Sequence, residues 1–239
     1  MDEVQNNREC QQAGRGGNSC KIKEICEINI MKIIFRTYKF SWIAIVIMCI
    51  VFIVNLILSR DYNLLWILLS GGGDIVDSLG VSYTTVCENF QLYRLFTYGY
   101  TQTAIWHLLA NVLGVWYIGL YLEKKMGIIR FMFVYHVGLV IAGVAILGFY
   151  PDRFSCGASP AIFAYLGMLF NWLMRKRDLW KEYKAQKGFS FVLYYFVLSN
   201  FLGIHTLLFH LFGFCTGFLL GFIIKRKEEK QQMVSETAT

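Results

Sequence analysis

Long apolar blocks, each near 20 residues and bounded by charged clusters, decide what this chain can become. An α-helix rises 1.5 Å per residue, so about 20 apolar residues match the roughly 30 Å hydrocarbon core of a bilayer. In lipid every backbone polar group has to be satisfied within the segment or its closed sheet, and helices do this alone. The apolar residues come in runs and not at the spacing of an amphipathic soluble helix. Only two prolines interrupt 239 residues, of which 56% are apolar. The expected fold class is therefore an all-α polytopic membrane protein.

Six spans are expected, at about residues 41–58, 104–122, 129–149, 155–174, 189–202 and 205–224. Residues 1–40 are polar and read as a flexible extension, helical near 28–35. No cleavable signal peptide is expected, because the first 40 residues are polar and charged. The membrane domain covers 41–224, with a long first loop at 59–103, and residues 225–239 form a polar tail. Within that loop the run 64–69 is too short to cross. Tyr62 and Trp66 suit headgroup depth, so it reads as lying in the interface until Gly71, Gly72 and Gly73 break it. The short turn near Gly203 makes the last two spans an antiparallel hairpin. No internal repeat is visible.

Charge orients these spans. With the N-terminus inside, 20 of the 23 basic residues fall on the inner side, and only Arg60, Arg94 and Arg153 lie outside. The positive-inside rule thus expects both termini in the cytoplasm and the first loop external. It also accounts for the net charge of +7 without a nucleic-acid partner. The seven cysteines are scattered and show no zinc spacing; Cys87 and Cys156 fall on one side and either pair or stay inert thiols.

Polar side chains inside a span cost a few kcal/mol each (about 2.5–3.5 for charged ones), so each calls for a reason. Four stand out: His107 and Asn111 in the second span, Ser159 in the fourth, His210 in the sixth. All three spans enter from outside. His107 then sits roughly 6 Å down, Ser159 roughly 7 Å and His210 roughly 8 Å. Asn111 is one helical turn below His107 on the same face.

Their chemistry fits together. A serine hydroxyl becomes nucleophilic when a nearby base takes its proton, and His210 suits that role. His107 and Asn111 suit donors to the oxyanion of a tetrahedral intermediate. No acid lies in the outer half of any span to orient His210, which leaves a Ser–His dyad. The blander alternative is real: membrane serines often bond their own helix, and histidines often pack. His136 and His205 read as packing residues. On the sixth span His210, Gly213, Gly217 and Gly221 share one face, and such a glycine strip lets another helix approach closely. If that helix is the fourth, Ser159 meets His210.

These residues carry a resemblance to the rhomboid family of intramembrane serine proteases. The segment Gln91-Leu92-Tyr93-Arg94-Leu95-Phe96-Thr97 looks like the family's first-loop motif. His107 and Asn111 resemble its H-x-x-x-N. Leu122-Glu123 with Met126-Gly127 is similar to the closing of the second helix. Gly157-Ala158-Ser159 matches the start of the G-x-S-G nucleophile motif, and Phe163 falls where an aromatic packs near the catalytic histidine. His210 with Gly213 and Gly217 resembles the sixth-helix H-x-x-G-x-x-x-G. The resemblance implies a six-transmembrane-helix rhomboid-like bundle, with Ser159 and His210 catalytic and His107 and Asn111 forming the oxyanion hole. Gly157, Phe163, Gly213, Gly217, Arg94 and Glu123 would support it.

In the first-loop motif Tyr93 stands where Trp is common, and in the nucleophile motif Pro160 stands where the family has glycine. Its missing N–H is tolerated in a first helical turn. Its ring either clears the sixth span or pushes it away and turns Ser159. The family also contains inactive relatives that bind transmembrane helices, which is the alternative function. The resemblance implies no cofactor, and a single transmembrane helix within the bilayer as substrate, cut near its outer end at small residues. A compact six-span core most resembles bacterial forms, hence a bacterial plasma membrane.

Other chemistries fit less well. No H-E-x-x-H motif offers zinc ligands. Gly71-Gly72-Gly73-Asp74 superficially resembles an aspartyl-protease motif, but no span holds a second aspartate. A transporter would call for a repeat and paired intramembrane charges.

Overall fold

A computed structural model of the chain describes residues 39–59, 64–185 and 189–224. The polar extension with its expected helix at 28–35, Arg60, Tyr62 and the 225–239 tail lie outside the described residues. By internal contacts the chain divides into Met1–Lys39 and Phe40–Thr239. The helices below belong to the second unit, except that the first one starts at Lys39.

Helix α1 spans Lys39–Leu58. Two short helices follow, α2 (Leu64–Ser70) and α3 (Asp74–Leu79). Gly71, Gly72 and Gly73 separate them and all have positive φ. Helix α4 runs Ile105–Met126 with a π-helical segment at Val115–Gly119, and α5 runs Ile128–Phe149. Helix α6 spans Ser159–Arg175, α7 Arg177–Lys184, α8 Phe189–Leu198 and α9 Ile204–Ile223. Among the described residues there is no strand, only one antiparallel bridge between Val81 and Ser155. The expected all-α bundle is what forms.

Four helices, α1, α4, α5 and α9, are long and apolar enough to cross a membrane by length and composition. Their outward residues are apolar: Ile50, Ile53 and Ile57 of α1 and Leu219, Phe222 and Ile223 of α9 are more than half exposed. Such surface is stable facing lipid and costly facing water. The chain is an integral membrane protein. The 17 residues of α6 and the 10 of α8 fall short of that length.

Helix α6 is central. Every residue from Ser159 to Leu169 is buried, so its neighbours rather than lipid surround it. Its most extensive partner is α9. A Cβ added to Gly213 would meet the Pro160 carbonyl, and one added to Gly217 would meet the Ala164 carbonyl. The glycine strip therefore lets α9 lie directly on the backbone of α6. Pro160 sits in the first turn of α6, and its ring does not hold α9 away.

Two sequence expectations need correction. The fourth span was expected from residue 155 but the helix starts at Ser159. Gly157 has φ 111°, a conformation a helix cannot contain, and Ser155 is held extended by two backbone bonds of 2.9 Å to Val81. The fifth span was expected as one helix to 202, but α8 ends at Leu198 in a 3-10 turn, Ser199–Leu202. There Ser199 Oγ and Asn200 Nδ2 bond back to the carbonyls of Tyr195 and Phe196. Such side-chain bonds compete with the helical ladder.

The buried Glu123 side chain is matched. The Glu123 carboxylate accepts from Phe40 N–H at 2.8 Å, Ser41 N–H at 3.0 Å and Ser41 Oγ–H at 2.6 Å. It thereby caps the start of α1, where orphan N–H groups favour negative charge. Glu123→Ala should strand these donors and cost about 3 kcal/mol. Equilibrium unfolding in micelles would measure it; an unchanged midpoint would refute the capping role.

Candidate active site

Three helix N-terminal ends converge on one cavity of about 670 Å³, lined by His107, Asn111, Ser155, Ser159, His205 and His210 among others. His107 is in the first turn of α4, Ser159 begins α6, and His210 lies in the second turn of α9. The four polar residues expected to form a constellation thus do line one space.

His210 is 2% exposed and its ring is held from two directions. Phe163, one turn into α6, stacks on it with centroids 4.0 Å apart and planes 8° from parallel. Its Nδ1 lies 2.9 Å from Asn200 Oδ1. Ser159 is 8% exposed. Its hydroxyl makes no hydrogen bond among the described residues, to His210 or to any other group. Helix contact alone has not joined the pair.

His107 accepts a long hydrogen bond at Nδ1 from the Thr103 backbone N–H, 3.4 Å, with Thr103 Oγ1 at 3.1 Å. A nitrogen that accepts from an N–H carries no proton, so the hydrogen belongs on Nε2. That edge of the ring lies against Gly157, where a Cβ would sit 2.6 Å from His107 Nε2 and 3.5 Å from Asn111 Nδ2. Gly157 is therefore glycine twice over: for its φ and for the space. Its N–H donates to the Tyr98 carbonyl at 2.8 Å. Asn111, 1% exposed, donates from Nδ2 to Gln102 Oε1 at 2.6 Å and accepts at Oδ1 from Tyr195 O–H at 3.0 Å. One amide hydrogen of Asn111 is left over from these bonds.

A second serine and histidine face the same cavity. Ser155 Oγ lies 3.1 Å from His205 Nε2. His205 was expected only to pack, and it does lie edge-on to Tyr150, but it also reaches a cavity-lining serine. His136 is elsewhere, bonded to Tyr100 O–H at 3.0 Å and near the Met132 carbonyl.

Arg94 and Glu123 lie away from the cavity lining. The Arg94 guanidinium donates to the carbonyls of Asp77 and Gly80 and to Gln91 Oε1, tying the first loop together. Gly213 and Gly217 act through the α6–α9 contact. Cys87 and Cys156 are both free thiols.

Sequence reasoning missed Gln102, Tyr195 and Asn200. Each matters through a partner far along the chain or across a turn, and residue type alone does not signal that.

Comparison with known proteins adds an independent line. The family model for the Rhomboid domain matches residues 89–227. RHOMBOID-like protein 7 of Arabidopsis thaliana is 31% identical over 163 residues, covering 66% of this chain and 51% of that protein. Putative rhomboid protease YdcA of Bacillus subtilis (strain 168) is 32% identical over 152 residues, 62% of this chain and 75% of that protein. Inactive RHOMBOID-like protein 8 of Arabidopsis thaliana is 25% identical over 123 residues, 52% of this chain and 34% of that protein. The chain thus spans about half the length of the first of these relatives.

Proposed function

The chain belongs to the rhomboid family, and from that premise we propose that it is an intramembrane serine endopeptidase working by a Ser159–His210 dyad. The family accommodates both proteases and inactive members; the observation that favours catalysis is the complete set of groups around one cavity. In this reading His210 Nε2 takes the proton of Ser159 Oγ as the oxygen attacks the scissile carbonyl. The oxyanion is met by His107 Nε2–H, the free Asn111 amide hydrogen and the Ser159 backbone N–H. That last group is a first-turn donor without a helical partner. His210 then protonates the leaving amine, and water hydrolyses the acyl-enzyme with the same base. Catalytic hydrogen bonds are often unmade before substrate binds, so rotation of the Ser159 side chain completes the pair.

The Phe163 face suits the imidazolium that forms, because a ring face attracts a cation. Substrates are single transmembrane helices, cut near the outer face at small residues. The six-span count, the 41–224 membrane domain with cytoplasmic 1–40 and 225–239 flanks, the external 59–103 loop and a bacterial plasma membrane belong to the same proposal. The 20-to-3 division of basic residues supports its orientation.

One observation favours a second reading, a catalytically inactive helix-binding relative: Ser159 is not hydrogen-bonded to His210. Reconstitution in liposomes with a single-span substrate separates the two. Wild type is expected to cleave, and His107→Ala to lower kcat roughly 10²- to 10³-fold. Substrate captured intact by wild-type protein would sink the protease reading.

A further inference from the structure

We propose that Asn200 is a positioning residue that sets the tautomer of His210. The inference rests on the protease reading of Ser159 and His210 and supplies what a bare dyad lacks, a partner for the far nitrogen of the base.

Asn200 lies in the 3-10 turn after α8. Its Nδ2 donates to the Phe196 carbonyl at 2.7 Å. A carbonyl oxygen only accepts, so this bond distinguishes the two ends of the Asn200 amide. The end facing His210 Nδ1, at 2.9 Å, is then Oδ1. An amide oxygen has no proton to give, so Nδ1 carries the hydrogen and donates it. In a neutral imidazole this leaves Nε2 with a bare lone pair, the form a general base needs.

The two constraints on the ring are complementary. Stacking on Phe163 fixes its plane. The Asn200 bond fixes which nitrogen is protonated and which edge faces the cavity. When Nε2 takes the serine proton, the Asn200 carbonyl dipole also faces the new positive charge. The carboxylate of a catalytic triad does the same job with a full charge. A role for Asn200 purely as a helix stop accounts for the bond to Phe196 but leaves the Oδ1 contact unexplained.

The test reads the tautomer directly. The 239-residue chain labelled with 15N-histidine in lipid nanodiscs contains four histidines, and His210 is assigned by the signals lost in His210→Gln. Wild type is expected to show Nδ1 protonated and Nε2 bare. Asn200→Ala is expected to lose that pattern and to lower kcat roughly 10- to 100-fold with KM within about twofold. Asn200→Asp keeps the acceptor, so it should keep the pattern and recover most of kcat. It is also the folded comparison if the alanine variant does not fold. A wild-type His210 protonated on Nε2, or an Asn200→Ala spectrum like wild type, overturns the proposal. If no form cleaves but the Nδ1 proton depends on Asn200, the positioning inference stands and the protease reading fails.

Discussion

Ser159→Ala is expected to abolish cleavage of a single-span substrate, with kcat/KM falling at least ~10⁴-fold, the scale seen when the nucleophile of a serine hydrolase is removed. The protein should stay folded. The hydroxyl has no hydrogen-bond partner among the described residues, so deleting it strands no buried group. Alanine also suits a first helical turn better than many residues, and Ala158 already precedes it. Activity and stability therefore separate in this variant. Thermal unfolding in detergent should match wild type while cleavage disappears. Residual cleavage within tenfold of wild type would mean that another group attacks. Retained function without cleavage in either form would support the helix-binding relative.

Gly217→Val is expected to act the other way, on the fold first. The added Cβ meets the Ala164 carbonyl oxygen and carbon, which are backbone atoms inside a fully buried stretch of α6. A flexible side chain would swing aside, whereas this carbonyl cannot move without unwinding its own helix. Overpacking against adaptable neighbours costs about 1–3 kcal/mol, and a rigid one puts this substitution at or above the upper end. Denaturant titration should show a clear loss of stability. Cleavage should fall as well, because the same contact sets how near His210 comes to Ser159. Wild-type stability in Gly217→Val would show that the α6–α9 contact is looser than the structure has it.

The architecture was legible because its signals are long. Runs of apolar residues closed by charges placed α1, α5 and α9 within two residues of where they lie. The glycine strip below His210 announced a close helix partner, and α6 is that partner. Local backbone detail was not legible in this way. The apolar run gives no sign that residues 155–158 stay out of the helix, because Ser155 is held by a bridge to Val81 in a distant loop. The π-helical segment at Val115–Gly119 contains no Pro, and Gly114 and Gly119 at its two ends do not tell it from an ordinary helix. In the site, residue types nominated His107, Asn111, Ser159 and His210. Their orienting partners Thr103, Gln102, Tyr195 and Asn200 are common polar residues whose meaning lies in which atom they face. His205 was set aside for its place at a helix end, yet it shares the cavity through Ser155.

That second pair makes the most direct test a matter of which serine reacts. Ser155 already has a histidine nitrogen within 3.1 Å, whereas Ser159 has none, but only Ser159 begins a helix beside Gly157, His107 and Asn111. Folded wild-type protein should be treated with a fluorophosphonate and the modified peptide sequenced by mass spectrometry. The phosphonyl group is expected on Ser159, and labelling is expected to vanish in His210→Ala while surviving in His205→Ala. Folded wild-type protein that takes no label, or label on Ser155 that depends on His205, would contradict the assignment of Ser159 and His210.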